Sequence, residues 1–131
     1  MDNYTYYNEL LKPSWAPQAW VFGPIWTVLY ILIIISFGYV LVKYMKKEYT
    51  TKIFIPFFLN ALFNVIFTPI QFGLRSNVLA TLDVLLVLVT LIWAMKTIWP
   101  KARWVAIMNI PYLVWVCIAA MLQISVTILN W

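Results

Sequence analysis

Histidine is absent from the 131 residues, and cysteine, glycine and acidic side chains are scarce: one Cys, three Gly and four Asp or Glu. Without histidine there is no imidazole to hold a metal or a haem iron, to act as a general base, or to switch charge near neutral pH. No metal-ligand cluster replaces it, so no metal is expected. Cys117 sits alone in an apolar run, where it can form no intrachain disulfide and says little about redox compartment. Charge is also thin. Only 10% of the residues are Asp, Glu, Lys or Arg, against about 25% in a soluble globular domain.

What fills the chain instead is apolar. Hydrophobic residues make up 65%, mean hydropathy is +0.89, and eight Trp, eight Tyr and eight Phe bring the aromatics to 18%. A small domain leaves much of its surface exposed, so this much apolar matter cannot be hidden inside so short a chain. A lipid bilayer as solvent removes the problem. Some of the aromatics then serve as interfacial anchors, although eight Trp exceed what anchoring requires. The net charge of +5 does not point to nucleic acid, because the basic residues lie between apolar runs and report orientation instead.

Residues 13 to 42 carry no charge. A helix from Trp20 to Val42 would be roughly 34 Å long at about 1.5 Å per residue, enough for a hydrocarbon core of about 30 Å. That run is too long for the apolar core of a signal peptide, so it is expected to be retained as a span. Further spans are expected at 53–72, 78–95 and 104–129. The whole of 1–131 reads as one transmembrane helical-bundle domain of all-α class, with four spans. The loops after the first and third spans hold Lys43, Lys46, Lys47, Lys52, Lys96, Lys101 and Arg103, while the other side holds Lys12 and Arg75. Seven against two places the basic loops in the cytoplasm or its equivalent and both termini outside, in a bacterial-type inner membrane or an organellar membrane.

Several polar and aromatic residues stand out within the spans. Asn60, Asn64, Thr68 and Gln71 are spaced four, four and three, so they share one helical face. Lipid cannot satisfy such a face, which must meet protein, water or a ligand. Interhelical glue accounts for any one of these residues as well as a site does; the stripe as a whole reads better as the polar wall of a cavity. Asp83 is the single acid inside a span, which makes it either a paired structural acid or a proton-linked one. Tyr112 and Trp115 share a face of the last span, and Trp26 lies one to two turns into the first. Aromatics at helical spacing are usually core; together with the asparagine face they describe a flat, sparsely polar pocket suited to a planar hydrophobic ligand. Ahead of the first span, Pro13 and Pro17 keep the segment around Trp15 extended, as a lid or an interfacial anchor.

The order Tyr7-Asn8-Glu9-Leu10-Leu11-Lys12-Pro13-Ser14-Trp15-Ala16-Pro17, then Trp20-Val21-Phe22-Gly23-Pro24-Ile25-Trp26-Thr27-Val28-Leu29-Tyr30, resembles the TspO/translocator-protein family of tryptophan-rich sensory proteins. Leu59-Asn60-Ala61-Leu62-Phe63-Asn64, Phe72-Gly73-Leu74-Arg75, Ala80-Thr81-Leu82-Asp83 and Ile110-Pro111-Tyr112-Leu113-Val114-Trp115 continue the match in order. The resemblance implies a five-helix membrane bundle, often a homodimer, that binds porphyrins and other tetrapyrroles. It implies a pocket lined by Tyr7, Trp26, Asn60, Asn64 and Trp115, with Trp15 and Pro17 in the lid. The family's first helix precedes the Lys-Pro loop, where this sequence has twelve residues, so the expectation is that bundle without its first helix. Sterol is not expected, because no Tyr followed by a basic residue occurs after Trp115. No cofactor is expected. The reading is a receptor or carrier for porphyrin-like ligands. The alternatives are a proton-coupled exporter using Asp83, a light-dependent porphyrin-degrading protein with Trp26 and Trp115 as redox-active side chains, and a structural assembly protein. No nucleophile–base pair is visible, which argues against an enzyme.

Overall fold

The computed structural model describes residues 10–16, 19–74 and 76–130. Among these residues five α-helices carry the fold: α1 (Ala19–Met45), α2 (Thr51–Thr68), α3 (Asn77–Ile98), α4 (Arg103–Met108) and α5 (Ile110–Leu129), with a π-helical turn, Pro69–Gly73, extending α2. No strand occurs among the described residues. Helices α1, α3 and α5 are each long and apolar enough to cross a membrane, and α2 is a shorter apolar helix.

The polarity of the bundle is inverted relative to a water-soluble one. Ile34, Val65, Val89, Met121 and Ile128, from four different helices, are each at least 60% exposed, while Ser36, Asn60, Asn64, Asp83, Thr90, Asn109 and Gln123 are buried. Water would oppose that distribution; lipid tails accept the outer surface, and the polar groups find partners only in the interior. This is an all-α integral membrane bundle.

Helix boundaries follow local chemistry. Ser76 caps α3 by accepting from the Leu79 N–H at 3.2 Å. Pro69 has no N–H to give the Val65 carbonyl, and the backbone past it widens to a π turn, with Leu74 N–H donating to the Pro69 carbonyl at 2.9 Å. The span expected as one helix over 104–129 is in two pieces. Pro111 cannot donate to the Ile107 carbonyl, and the chain turns at Asn109 (φ −91°, ψ 3°). The Asn109 amide donates to the Val105 carbonyl (2.7 Å) and to Ser36 Oγ on α1 (3.0 Å), so side-chain bonds span the break.

Helix α3 is the central element, packed against α2 on one side and α5 on the other. One apolar cluster, at the end that carries the basic loops, joins Val40, Phe57, Ala94, Ile98, Val105 and Ala106. A second, further along the bundle, joins Leu29, Val87, Leu91, Tyr112, Trp115 and Val116.

Candidate functional site

The two buried asparagines of α2 are one turn apart on one face, and both meet Tyr112 of α5. Tyr112 Oη donates to Asn60 Oδ1 at 2.8 Å, and Asn64 Nδ2 donates to Tyr112 Oη at 2.7 Å. Asn60 Nδ2 then donates to the Val87 carbonyl (2.8 Å) and to Thr90 Oγ1 (3.1 Å) on α3. At the other end, Tyr30 Oη of α1 donates to Asn64 Oδ1 at 3.1 Å. The result is a directional chain running Tyr30, Asn64, Tyr112, Asn60, Thr90 through four helices. Every bond in it is made within the protein. Asn60 and Asn64 thus bond across helices and hold between them the ring of Tyr112, which is fully buried. The side chains of Thr68 and Gln71, the other members of the stripe, lie outside the described residues.

Aromatic rings gather around this chain. Trp26 lies 5.3 Å from Tyr30 and 6.4 Å, edge to face, from Tyr112. Phe22 meets Trp115 edge to face at 5.6 Å. Phe22, Trp26 and Tyr30 recur every four residues, so α1 presents one aromatic stripe to the α5 face that carries Tyr112 and Trp115.

Among the described residues, two buried polar atoms in this region have no hydrogen-bond partner: Trp115 Nε1 and Asp83 Oδ2, on side chains 8% and 3% exposed. A third, Asn109 Oδ1, lies at the break before α5. Asp83 stands one turn from Val87, on the face of α3 that packs in the cluster with Trp115. One orphan is a donor and the other an acceptor. Unpaired buried polar groups are costly and rare in native folds, so two of them in one aromatic-rich region are a functional signal.

The segment before α1 covers this half of the bundle. Leu11 N–H donates to Asn130 Oδ1 (3.1 Å) and the Leu11 carbonyl accepts from Asn130 Nδ2 (2.9 Å), which pins the loop to the C-terminus of α5. Leu10, Ala16 and Phe22 pack on Leu122 and Val126. Phe22 thus touches both the loop's footing and Trp115. Trp15 is on this loop and is exposed. Tyr7 and Pro17 lie outside the described residues. Beside the clamp is a shallow, largely open depression of about 310 Å³, lined by Ser76, Asn77, Val78, Thr127 and Asn130.

Comparison with known proteins matches residues 1–129 to the model of the TspO/MBR family. The chain belongs to that family. It is 34% identical to the Tryptophan-rich protein TspO of Bacillus cereus over 126 residues, covering 96% of this chain and 81% of that protein. It is 33% identical to the Translocator protein of Homo sapiens over 125 residues, covering 84% of this chain and 73% of that protein. To the Tryptophan-rich protein TspO of Chlorobaculum tepidum it is 29% identical over 125 residues, with 95% and 79% covered.

Within this TspO/MBR bundle the structure brings Trp26, Asn60, Asn64, Tyr112 and Trp115 into one cluster, with Asp83 at its edge. Sequence reasoning missed Phe22, Tyr30 and Thr90. The four-residue repeat of Phe22, Trp26 and Tyr30 was a signal for the first two. Thr90 carried none, since one threonine on an apolar helix usually bonds only its own backbone, as it also does here to the Leu86 carbonyl at 2.8 Å.

Proposed function

We propose that this protein is a membrane receptor or carrier for a porphyrin-like tetrapyrrole or another flat hydrophobic molecule, held among α1, α3 and α5 beneath the 10–16 loop. The observation that carries the reading is the buried, unpartnered Trp115 indole N–H in an aromatic cluster. A planar ligand gives Phe22, Trp26 and Trp115 a face to stack on, and a carboxylate or carbonyl on it gives Trp115 Nε1 its acceptor. Asp83 Oδ2 accepts from a donor such as a pyrrole N–H. Tyr30, Asn64, Tyr112 and Asn60 are positioning residues that fix the wall. Trp15 belongs to the covering loop, and by the family resemblance Tyr7 and Pro17 join it. The basic loops face the cytoplasm, and the working unit is a homodimer. A C-terminal reporter fusion should therefore be active on the outer side, and cross-linking in mild detergent should trap a dimer.

The test is titration of the purified protein with protoporphyrin IX while tryptophan fluorescence is followed. Saturable quenching is expected. A stacked aromatic contact contributes roughly 0.5–1.5 kcal/mol beyond area burial, so Trp115→Ala should weaken binding at least about tenfold, the equivalent of about 1.4 kcal/mol. Trp115→Phe keeps a flat ring but not the N–H and should fall between. Trp93→Ala, on an exposed face of α3, should leave affinity unchanged. Equal effects of Trp93→Ala and Trp115→Ala would refute the site.

One observation favours a second reading, a proton-linked exporter: Asp83 is a buried intramembrane acid with an unpartnered oxygen. In that case Asp83→Asn abolishes pH-driven uptake in vesicles while equilibrium binding survives.

A further inference from the structure

We propose that the basic end of the bundle is a binding site for the phosphate headgroup of an anionic phospholipid, built jointly by the 43–52 and 96–104 segments. The two segments form one face. Tyr39, near the end of α1, packs edge to face on Trp104 of α4 at 4.8 Å and on Tyr49 of the first loop at 6.2 Å. Both segments also rest on the same apolar cluster, through Val40 and Ile53 from one side and Ile98, Ala102 and Val105 from the other.

The charge on this face is not neutralised. Lys43 is paired with Glu48 at 2.7 Å, the one ion pair among the described residues. That leaves Lys46, Lys47, Lys52, Lys96, Lys101 and Arg103, all exposed, and Glu48 is the only acid in the segments. Lys47 adopts φ 62°, the left-handed position after a helix that favours glycine. A lysine occupies that position at some steric cost, in a turn where the Glu48 and Tyr49 N–H groups both donate to the Lys43 carbonyl. The Arg103 guanidinium lies over the ring of Trp99 at 5.3 Å. That contact holds the guanidinium at the surface, where its N–H fork can pair with two phosphate oxygens.

The occupant is a lipid and not a soluble anion because of what adjoins the charge. Trp99 and Trp104 are exposed beside it, at the interface depth where Trp prefers to sit. Exposed Met45, Trp93 and Ile92 continue the surface towards the apolar faces of α1 and α3. A ligand that satisfies the whole surface carries a phosphate at one end and acyl chains at the other.

The experiment reconstitutes the full chain in nanodiscs of phosphatidylcholine alone or with phosphatidylglycerol, reading thermal unfolding and the lipids retained on release into the gas phase. Phosphatidylglycerol should raise Tm and be retained over phosphatidylcholine, and salt should shrink both effects. Each cation removed should lower that preference roughly fivefold, so K46Q/K47Q/K101Q/R103Q should abolish it. If the fourfold variant does not fold, Arg103→Lys keeps the charge, loses the fork and should still cost part of the preference. Lys12→Gln, at the other end of the bundle, should keep it. The proposal is overturned if the fourfold variant or Arg103→Lys retains the full preference, if Lys12→Gln loses it, or if inorganic phosphate added to phosphatidylcholine discs gives the same rise in Tm.

Discussion

The two halves of the bundle treat their polar groups differently. At the basic end, Tyr39 and Tyr49 approach at 3.4 Å through their hydroxyls, Lys43 meets Glu48, and the core from Val40 to Ala106 is apolar. Under the 10–16 loop, polar groups enter the core itself. Some are tied into the chain from Tyr30 to Thr90, but Trp115 Nε1 and Asp83 Oδ2 are buried with no partner among the described residues. The first half is built as a stable, charged base. The second carries two unmet hydrogen bonds on side chains among its aromatic rings, while Asn109 Oδ1, between the halves, is the third; each costs some stability, which is how a site that awaits a ligand differs from a finished core.

That contrast can be broken most directly at Asn60. Asn60→Leu removes three hydrogen bonds; at roughly 0.6 kcal/mol each for bonds between membrane helices, the loss is about 2 kcal/mol, and it leaves the Tyr112 hydroxyl without its acceptor. Thermal unfolding in micelles should show a clear fall in Tm, whereas Tyr49→Phe at the basic end should change it little. An unchanged Tm for Asn60→Leu would mean that the chain of bonds does not hold the helices.

Asn130→Ala comes next. It deletes both bonds to Leu11, worth about 1 kcal/mol net for exposed groups. The effect should be local: faster amide exchange over residues 10–16 and faster ligand entry, with global Tm nearly unchanged. Equal exchange in both proteins would argue that packing on Leu122 and Val126, and not the clamp, holds the loop.

Asp83→Asn sharpens the comparison by its sign. Because Asp83 Oδ2 has no partner to lose, the variant should unfold no earlier than the parent while binding protoporphyrin IX more weakly. A lower Tm would reveal a structural acid.

The smallest effect is expected at Glu48. The hydrogen bond and attraction from Lys43 hold its carboxyl below the usual Glu range. A depressed folded-state value means the pair's contribution is present above the ordinary Glu pKa and fades as pH falls through the lowered value. Both groups are solvated, so the loss should be slight. Acid titration of Tm should show a small step that Glu48→Gln removes.

Composition and periodicity by themselves determined the membrane class, the four apolar segments, the asparagine face of α2 and the charge asymmetry, while the order of the motifs carried the resemblance to the family. These are properties of residues near one another in sequence, where helical spacing decides which side chains share a face. Only the tertiary structure decided what each face meets. The sequence places Asn60 and Asn64 on one face, and packing set that face against Tyr112, 52 and 48 positions away. The last span reads as one helix in the sequence, but it breaks at Asn109, whose side chain rests on Ser36, 73 positions away. Asp83 and Trp115 could have been paired or unpaired, because partnership depends on how helices rotate against one another, and helix rotation leaves no trace in the spacing of any one helix.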